Sequence, residues 1–132
     1  TGKIKFRNGG TITAWTKNND WMKASQTFSR IESIPLSVVF ASSQENGEGD
    51  ATLLTDGNPD TYWHTMYSVT VANYPHWVDF DCGETKTIKG FTYLPRQDSD
   101  NGNIKGYRIF VSNDGKTWSK PVAEGAFEHN LL

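Results

Sequence analysis

The residues with the most chemical content fall in three short strings. Trp63-His64-Thr65-Met66-Tyr67 sets an imidazole three residues before a phenol ring, among further aromatics. Pro95-Arg96-Gln97 closes a β-rich stretch. Pro95 cannot donate to a ladder, so the strand stops and Arg96 is delivered to a rim. Asn101 follows five residues on, in a polar Gly/Asn loop. Taken singly these residues are bland: a lone His near aromatics is commonly structural, and most exposed Arg residues are simply solvated. Together, a neutral imidazole, a planar guanidinium, an amide and a ring face are what a sugar requires. Vicinal hydroxyls pair with the guanidinium and the amide, and the apolar face of a pyranose lies on the ring.

A fourth string, Asp56-Gly57-Asn58-Pro59-Asp60-Thr61, is rich in oxygen ligands. Its D-x-N-x-D spacing resembles the opening of a calcium loop, since Ca²⁺ takes hard oxygen donors. It is not an EF-hand, because Thr61 stands where that loop needs Gly and Tyr67 where it needs a bidentate Glu. The spacing leaves two readings open: a polar turn with Asp56 capping local amides, or a metal loop. Asp98-Ser99-Asp100-Asn101-Gly102 has a similar look, and there the turn reading prevails.

Catalytic patterns are missing. The sequence contains no G-x-S-x-G, H-E-x-x-H, P-loop or G-x-G-x-x-G. Its 132 residues suit one domain, and a catalytic unit complete within them is not expected. A net charge of −2 leaves no basic excess for nucleic acid or for anionic lipid. Cys82 is the sole cysteine, which excludes an internal disulfide and a Cys-based metal site. No signal-peptide pattern opens the sequence, which leaves an intracellular chain or a piece of a larger processed one.

Elements that could carry these strings read as strands. Alternation at period two recurs in Trp77 to Cys82 and Tyr107 to Ser112; Thr11 to Trp15 has strand composition, Ser37 to Ala41 reads as a short buried-type strand, and Thr87 to Leu94 is β-rich and too apolar on both faces for an edge. Trp63, Trp77, Tyr93 and Trp118 are expected in core or sheet packing, with His76 structural and Cys82 on an inward face. Asn113-Asp114-Gly115 predicts a hairpin turn, with Thr117 and Trp118 opening the returning strand. Asn8-Gly9-Gly10 predicts another turn. One helix is predicted over Asp20 to Phe28, and a single helical turn near Ala51 to Leu54. The fold class expected is all-β: an antiparallel β-sandwich over residues 36–132, with residues 1–35 a linker or an added strand.

The stretch from Val39 to Phe127 resembles the F5/8 type C (discoidin) domain. The strings that carry the likeness are DGNP-x-T-x-WHT, YPH, YLPRQ and NDG-x-x-W, in that order. Within that family it is most similar to carbohydrate-binding modules of family 32, which are attached to bacterial glycoside hydrolases such as sialidases and hexosaminidases. The resemblance implies a galactose-binding-like jelly roll. It also implies a non-catalytic module, secreted, periplasmic or on the cell surface, that holds a parent enzyme on glycans. Carried over residue by residue, His64, Arg96 and Asn101 would bond a terminal galactose or N-acetylhexosamine, with Arg96 forking onto adjacent hydroxyls. Tyr67 would stack on it, Phe127 would flank the rim, and Glu45 or Glu48 would reach the sugar. The likeness also implies a structural Ca²⁺ held by Leu53, Asp56, Asn58 and Thr61, bracing the loop that leads to His64. A further acidic ligand belongs to that pattern, a place for Glu124 or Glu128. The alternative is a discoidin-type membrane- or protein-interaction domain; the polar, acidic loops NGEGD and DSDNGN disfavour the membrane.

Overall fold

The computed structural model describes residues 10–16, 19–28 and 32–128. The chain divides into two units, Thr1–Ile34 and Pro35–Leu132. In the first, β1 (Gly10–Thr16) pairs antiparallel with β2 (Asn19–Phe28), from Gly10 opposite Phe28 to Thr16 opposite Asn19. The helix predicted over Asp20 to Phe28 is therefore a strand. Nine residues are too few for a helix to stand on propensity alone. An adjacent strand that takes up the main-chain N–H and C=O groups decides the conformation instead. The predicted strand at Thr11 to Trp15 is found within β1; the Asn8-Gly9 part of the predicted turn lies outside the described residues.

The second unit contains two more antiparallel ribbons. β3 (Ser37–Ala41) pairs with β4 (Val78–Asp81), and β5 (Gly106–Ile109) pairs with β6 (Ala123–Ala126). A 3-10 turn, Ala51–Thr55, follows β3 where a helical turn was expected. No α-helix occurs among the described residues, in keeping with an all-β chain, and no helix is long and apolar enough to cross a membrane.

Two further expectations about strands need correction. Thr87 to Leu94 forms no ladder: no described strand pairs with it, and Ile88, Phe91 and Leu94 are exposed. The Asn113-Asp114-Gly115 turn is present, with Gly115 at φ +67°, but its return is longer than a tight hairpin. Asp114 accepts the amides of Lys116 and Thr117 at 2.8 and 2.7 Å, and the Ser112 hydroxyl accepts that of Gly115 at 2.9 Å. These bonds close a polar loop that carries Trp118 past the ladder. Pairing resumes through the Ser119 amide to the Val111 carbonyl and ends in β6.

Packing follows the loops more than the ribbons. Phe127 sits with Tyr93 and Tyr107 at ring separations of 5.0 and 4.7 Å, and Phe91 meets Tyr107 edge-on at 5.0 Å. Offset and edge-on rings of this kind are the favoured aromatic pairings. Tyr93 is thus in packing, as expected, and half-buried Trp63 donates its Nε1–H to the Ser43 carbonyl at 2.9 Å. Trp77 and Trp118 are exposed instead, as are Val39, Phe40 and Phe80 on the β3–β4 ribbon. Cys82, expected on an inward face, is half-buried.

Candidate functional site

The segment 45–68 folds back on itself around His64. The Glu45 amide donates to the His64 carbonyl at 2.7 Å, and the His64 amide donates to the Gly49 carbonyl at 3.1 Å. Gly49 is required by close approach: a Cβ there would lie 2.5 Å from the His64 Cβ and 2.6 Å from its amide nitrogen. Main-chain bonds from both sides therefore fix the backbone that carries the imidazole. The His64 Nδ1 lies 2.6 Å from the Thr65 carbonyl. A carbonyl only accepts, so the neutral ring carries its proton on Nδ1 and leaves Nε2 as an acceptor.

Glu45 is 8% exposed, and its carboxylate is spent on the chain. It accepts the amides of Tyr67 and Ser68 at 2.8 and 3.0 Å, together with the Ser68 hydroxyl. Those bonds, the Ser68 hydroxyl first, hold its carboxyl below the ordinary Glu value. Glu48 is the carboxylate that faces outward. It accepts the Tyr67 hydroxyl at 2.7 Å, a bond that raises the phenol's pKa. Tyr67 meets His64 edge-on, with ring centroids 4.9 Å apart.

Across from them stands Arg96, in the segment that follows Pro95. Its Nε and Nη2 donate to the two oxygens of Asp98, both at 2.7 Å. Nη2 also donates to the Tyr62 hydroxyl at 3.1 Å, and the guanidinium carbon lies 4.0 Å from the Tyr62 ring centroid. Pairing with Asp98 raises the Arg96 pKa and lowers that of Asp98. Three of five N–H groups are committed in this way, and the two on Nη1 have no partner among the described residues. The expected fork onto neighbouring hydroxyls thus has the Nη1 pair to work with.

Glu48, Tyr62, His64, Tyr67, Arg96 and Asn101 line one open hollow of about 340 Å³, the volume of a small ligand site. It gathers five of the residues named from the sequence for a sugar, His64, Tyr67, Arg96, Asn101 and Glu48, and it leaves out the buried Glu45. Phe127 is not among the lining residues. Its ring is taken up by the cluster with Phe91, Tyr93 and Tyr107, which corrects its expected place at the rim. Sequence reasoning missed Tyr62 and Asp98. The signal was spacing by two, which puts Tyr62 on the side of His64 and Asp98 on the side of Arg96 in extended chain.

This chain belongs to the F5/8 type C family. The family's sequence profile matches residues 39–131. A sialidase of Micromonospora viridifaciens is 37% identical over 96% of the chain, which covers 20% of that enzyme. A galactose oxidase of Gibberella zeae is 40% identical over 54% of the chain, which covers 11% of it. A lacto-N-biosidase of Bifidobacterium bifidum is 37% identical over 67%, and there the coverage is 9%. The F5/8 type C fold is a β-sandwich, so the expected fold class stands. The chain spans a fifth or less of the length of these relatives, whose names are those of carbohydrate-acting enzymes.

The loop proposed for a cation closes through its own groups. Asp56 accepts the Asn58 amide at 2.8 Å and the Thr61 hydroxyl at 2.6 Å, and the Thr61 amide donates to the Asn58 carbonyl at 3.4 Å. These bonds lower the Asp56 pKa, the Thr61 hydroxyl most. Carboxylate, amide, hydroxyl and carbonyl oxygens thus gather in one loop, a donor set suited to a hard cation. Of the ligands expected from the sequence, Asp56 alone is acidic. Glu124, a candidate second one, lies on β6 with its carboxylate 3.7 Å from Arg108. The 98–103 segment is a turn, as expected: the Asn101 amide donates to Ser99 Oγ and the Asn103 amide to the Asp100 carbonyl.

Proposed function

We propose that the hollow holds a terminal neutral hexose, galactose or an N-acetylhexosamine, and that the chain is a non-catalytic module keeping a glycoside-acting parent enzyme on glycans outside a bacterial cell. The observation that carries this reading is the convergence of His64, Tyr67, Arg96 and Asn101 on one open hollow with Glu48 and Tyr62. In it, Nε2 of His64 accepts a hydroxyl proton, Nη1 of Arg96 donates to a hydroxyl oxygen, and Asn101 does both. The exposed Tyr67 ring takes the sugar's C–H face. Few contacts on a wet, open ligand imply weak binding, a Kd on the order of 0.1–1 mM. A glycan array tests it. Galactose- or N-acetylhexosamine-terminated glycans should bind the chain and lose binding with His64→Ala or Arg96→Ala. Retained binding in both folded variants would remove the site from consideration.

We further propose that Ca²⁺ is held by Asp56, Asn58 and Thr61, with the Leu53 carbonyl, as a brace on the approach to His64. The ion would supply charge neutralisation within the loop and no chemistry at the sugar.

A second reading has one observation in its favour. Val69, Val71 and Tyr74 are 83%, 75% and 88% exposed, an apolar loop tip that the polar NGEGD and DSDNGN strings do not offer. On that reading the chain docks on a membrane or a protein. Co-sedimentation with phosphatidylserine vesicles that is abolished by Val69→Asp would favour it over the glycan reading.

A further inference from the structure

The hollow's charges are already arranged before any ligand arrives. Arg96 carries the one positive charge among its lining residues, and Asp98 grips that charge by two bonds of 2.7 Å. Only 15% of the Arg96 side chain is exposed, against 64% of Asp98. Tyr62 lies against the guanidinium face and takes one more N–H. Both edges of the guanidinium that involve Nη2 are therefore engaged, and these are edges a carboxylate needs for a two-bond grip. Glu48 adds a further negative charge at the wall, where it accepts the Tyr67 hydroxyl. Summed over Arg96, Asp98 and Glu48, the site is negative by one unit.

We propose that Tyr62 and Asp98 are positioning residues for Arg96, and that Asp98 makes the hollow select neutral sugars against carboxylated ones. The inference rests on the saccharide reading above. A neutral hydroxyl needs only the two free Nη1 hydrogens. A sugar acid must either displace Asp98 or enter beside two carboxylates without a countercharge. Asp98 thus costs nothing to a neutral ligand and opposes an anionic one.

The test compares galactose with galacturonate, which keeps the ring hydroxyls and replaces the C6 hydroxymethyl with a carboxylate. Chemical-shift titrations of the chain at low salt should show galacturonate binding about fourfold more weakly, the effect of one unit charge at about 5 Å in water. Added salt should narrow that gap. Asp98→Asn keeps an acceptor and removes the charge, so the ratio between the two sugars should fall toward one. Tyr62→Phe loses the hydroxyl and keeps every charge; both sugars should weaken alike, with the ratio unmoved. Equal binding of both sugars to the unmodified chain would overturn the inference, as would an unchanged ratio in folded Asp98→Asn. Should that variant fail to fold, a salt-independent ratio in the unmodified chain does the same. If neither sugar shifts the resonances around His64 and Arg96, the saccharide reading falls as well; equal binding sinks the charge selection alone.

Discussion

Two hollows flank the 66–67 segment, and they differ in a way that volume does not reveal. One is the hollow around His64 and Arg96. The other, of about 400 Å³, is lined by Ser42, Ser43, Met66, Thr70, Ala72, Asn73, Pro75, His76 and Trp77. Each offers an imidazole, an amide and an aromatic ring. In the first, bonds from Glu45, Gly49, Asp98 and Tyr62 settle the donors and acceptors before a ligand arrives. In the second, the Ser42 and Ser43 hydroxyls accept the Trp77 and Met66 amides and serve the fold, and His76 rests 4.5 Å from the Tyr74 ring. Preorganisation is what lowers the cost of binding a weak polar ligand. The contrast favours the first hollow as the proposed binding site because of its braces, not because of its size or its inventory of side chains.

Arg96→Ala should break the contrast most severely. It removes charge-assisted bonds, so galactose should bind at least about tenfold more weakly. His76→Ala, in the other hollow, should leave galactose affinity unchanged. Calorimetric titration of both variants checks this pair. Gly49→Ala comes next. The added Cβ collides with backbone and with the root of the His64 side chain. A stability loss of about 1–3 kcal/mol is expected in thermal melts, in line with other overpacked sites, together with weakened galactose binding.

The strings that build the first hollow were legible because each carries chemistry in a short span. WHT, PRQ and the polar loop after it each name their functional residue, and a turn or a proline sets where it emerges. What was not legible is which of two equivalent groups turns inward. Glu45 and Glu48 are three residues apart and chemically alike. Only the return of the chain at Tyr67 and Ser68, which draws Glu45 into two amides, tells them apart. Phe127 was misplaced for a similar reason: an aromatic at a loop end serves a rim or a cluster equally well until its neighbours are known. In the β1–β2 ribbon the sequence misled outright, since Asp20 to Phe28 reads as a short helix until its pairing partner is supplied.

Acid offers a finer cut between braces and remote turns. Glu45, Asp56, Asp98 and Asp114 all have pKa values held below the ordinary ones, Asp114 at about 2 by the Thr117 and Lys116 amides. A carboxyl of lowered pKa stabilises the fold above its unfolded value. That contribution is lost as the pH falls through the folded one. Thermal stability should therefore be insensitive to these groups above about pH 5 and decline below about pH 4. Asp114→Asn should flatten the part of the decline nearest pH 2 and leave sugar binding at neutral pH untouched. Glu45→Gln should lessen the decline and also weaken binding, because its brace ends at Tyr67. The smallest effect expected is from calcium. Chelation should lower the melting temperature slightly, and Asp56→Ala should abolish that response.

The most direct test of the site is a residue-resolved chemical-shift titration of the chain with galactose. The account predicts saturable shifts confined to the neighbourhood of Glu48, Tyr62, His64, Tyr67, Arg96 and Asn101, absent in folded Arg96→Ala. Shifts centred on His76 and Trp77, or none up to ligand concentrations well above the millimolar range, would contradict it.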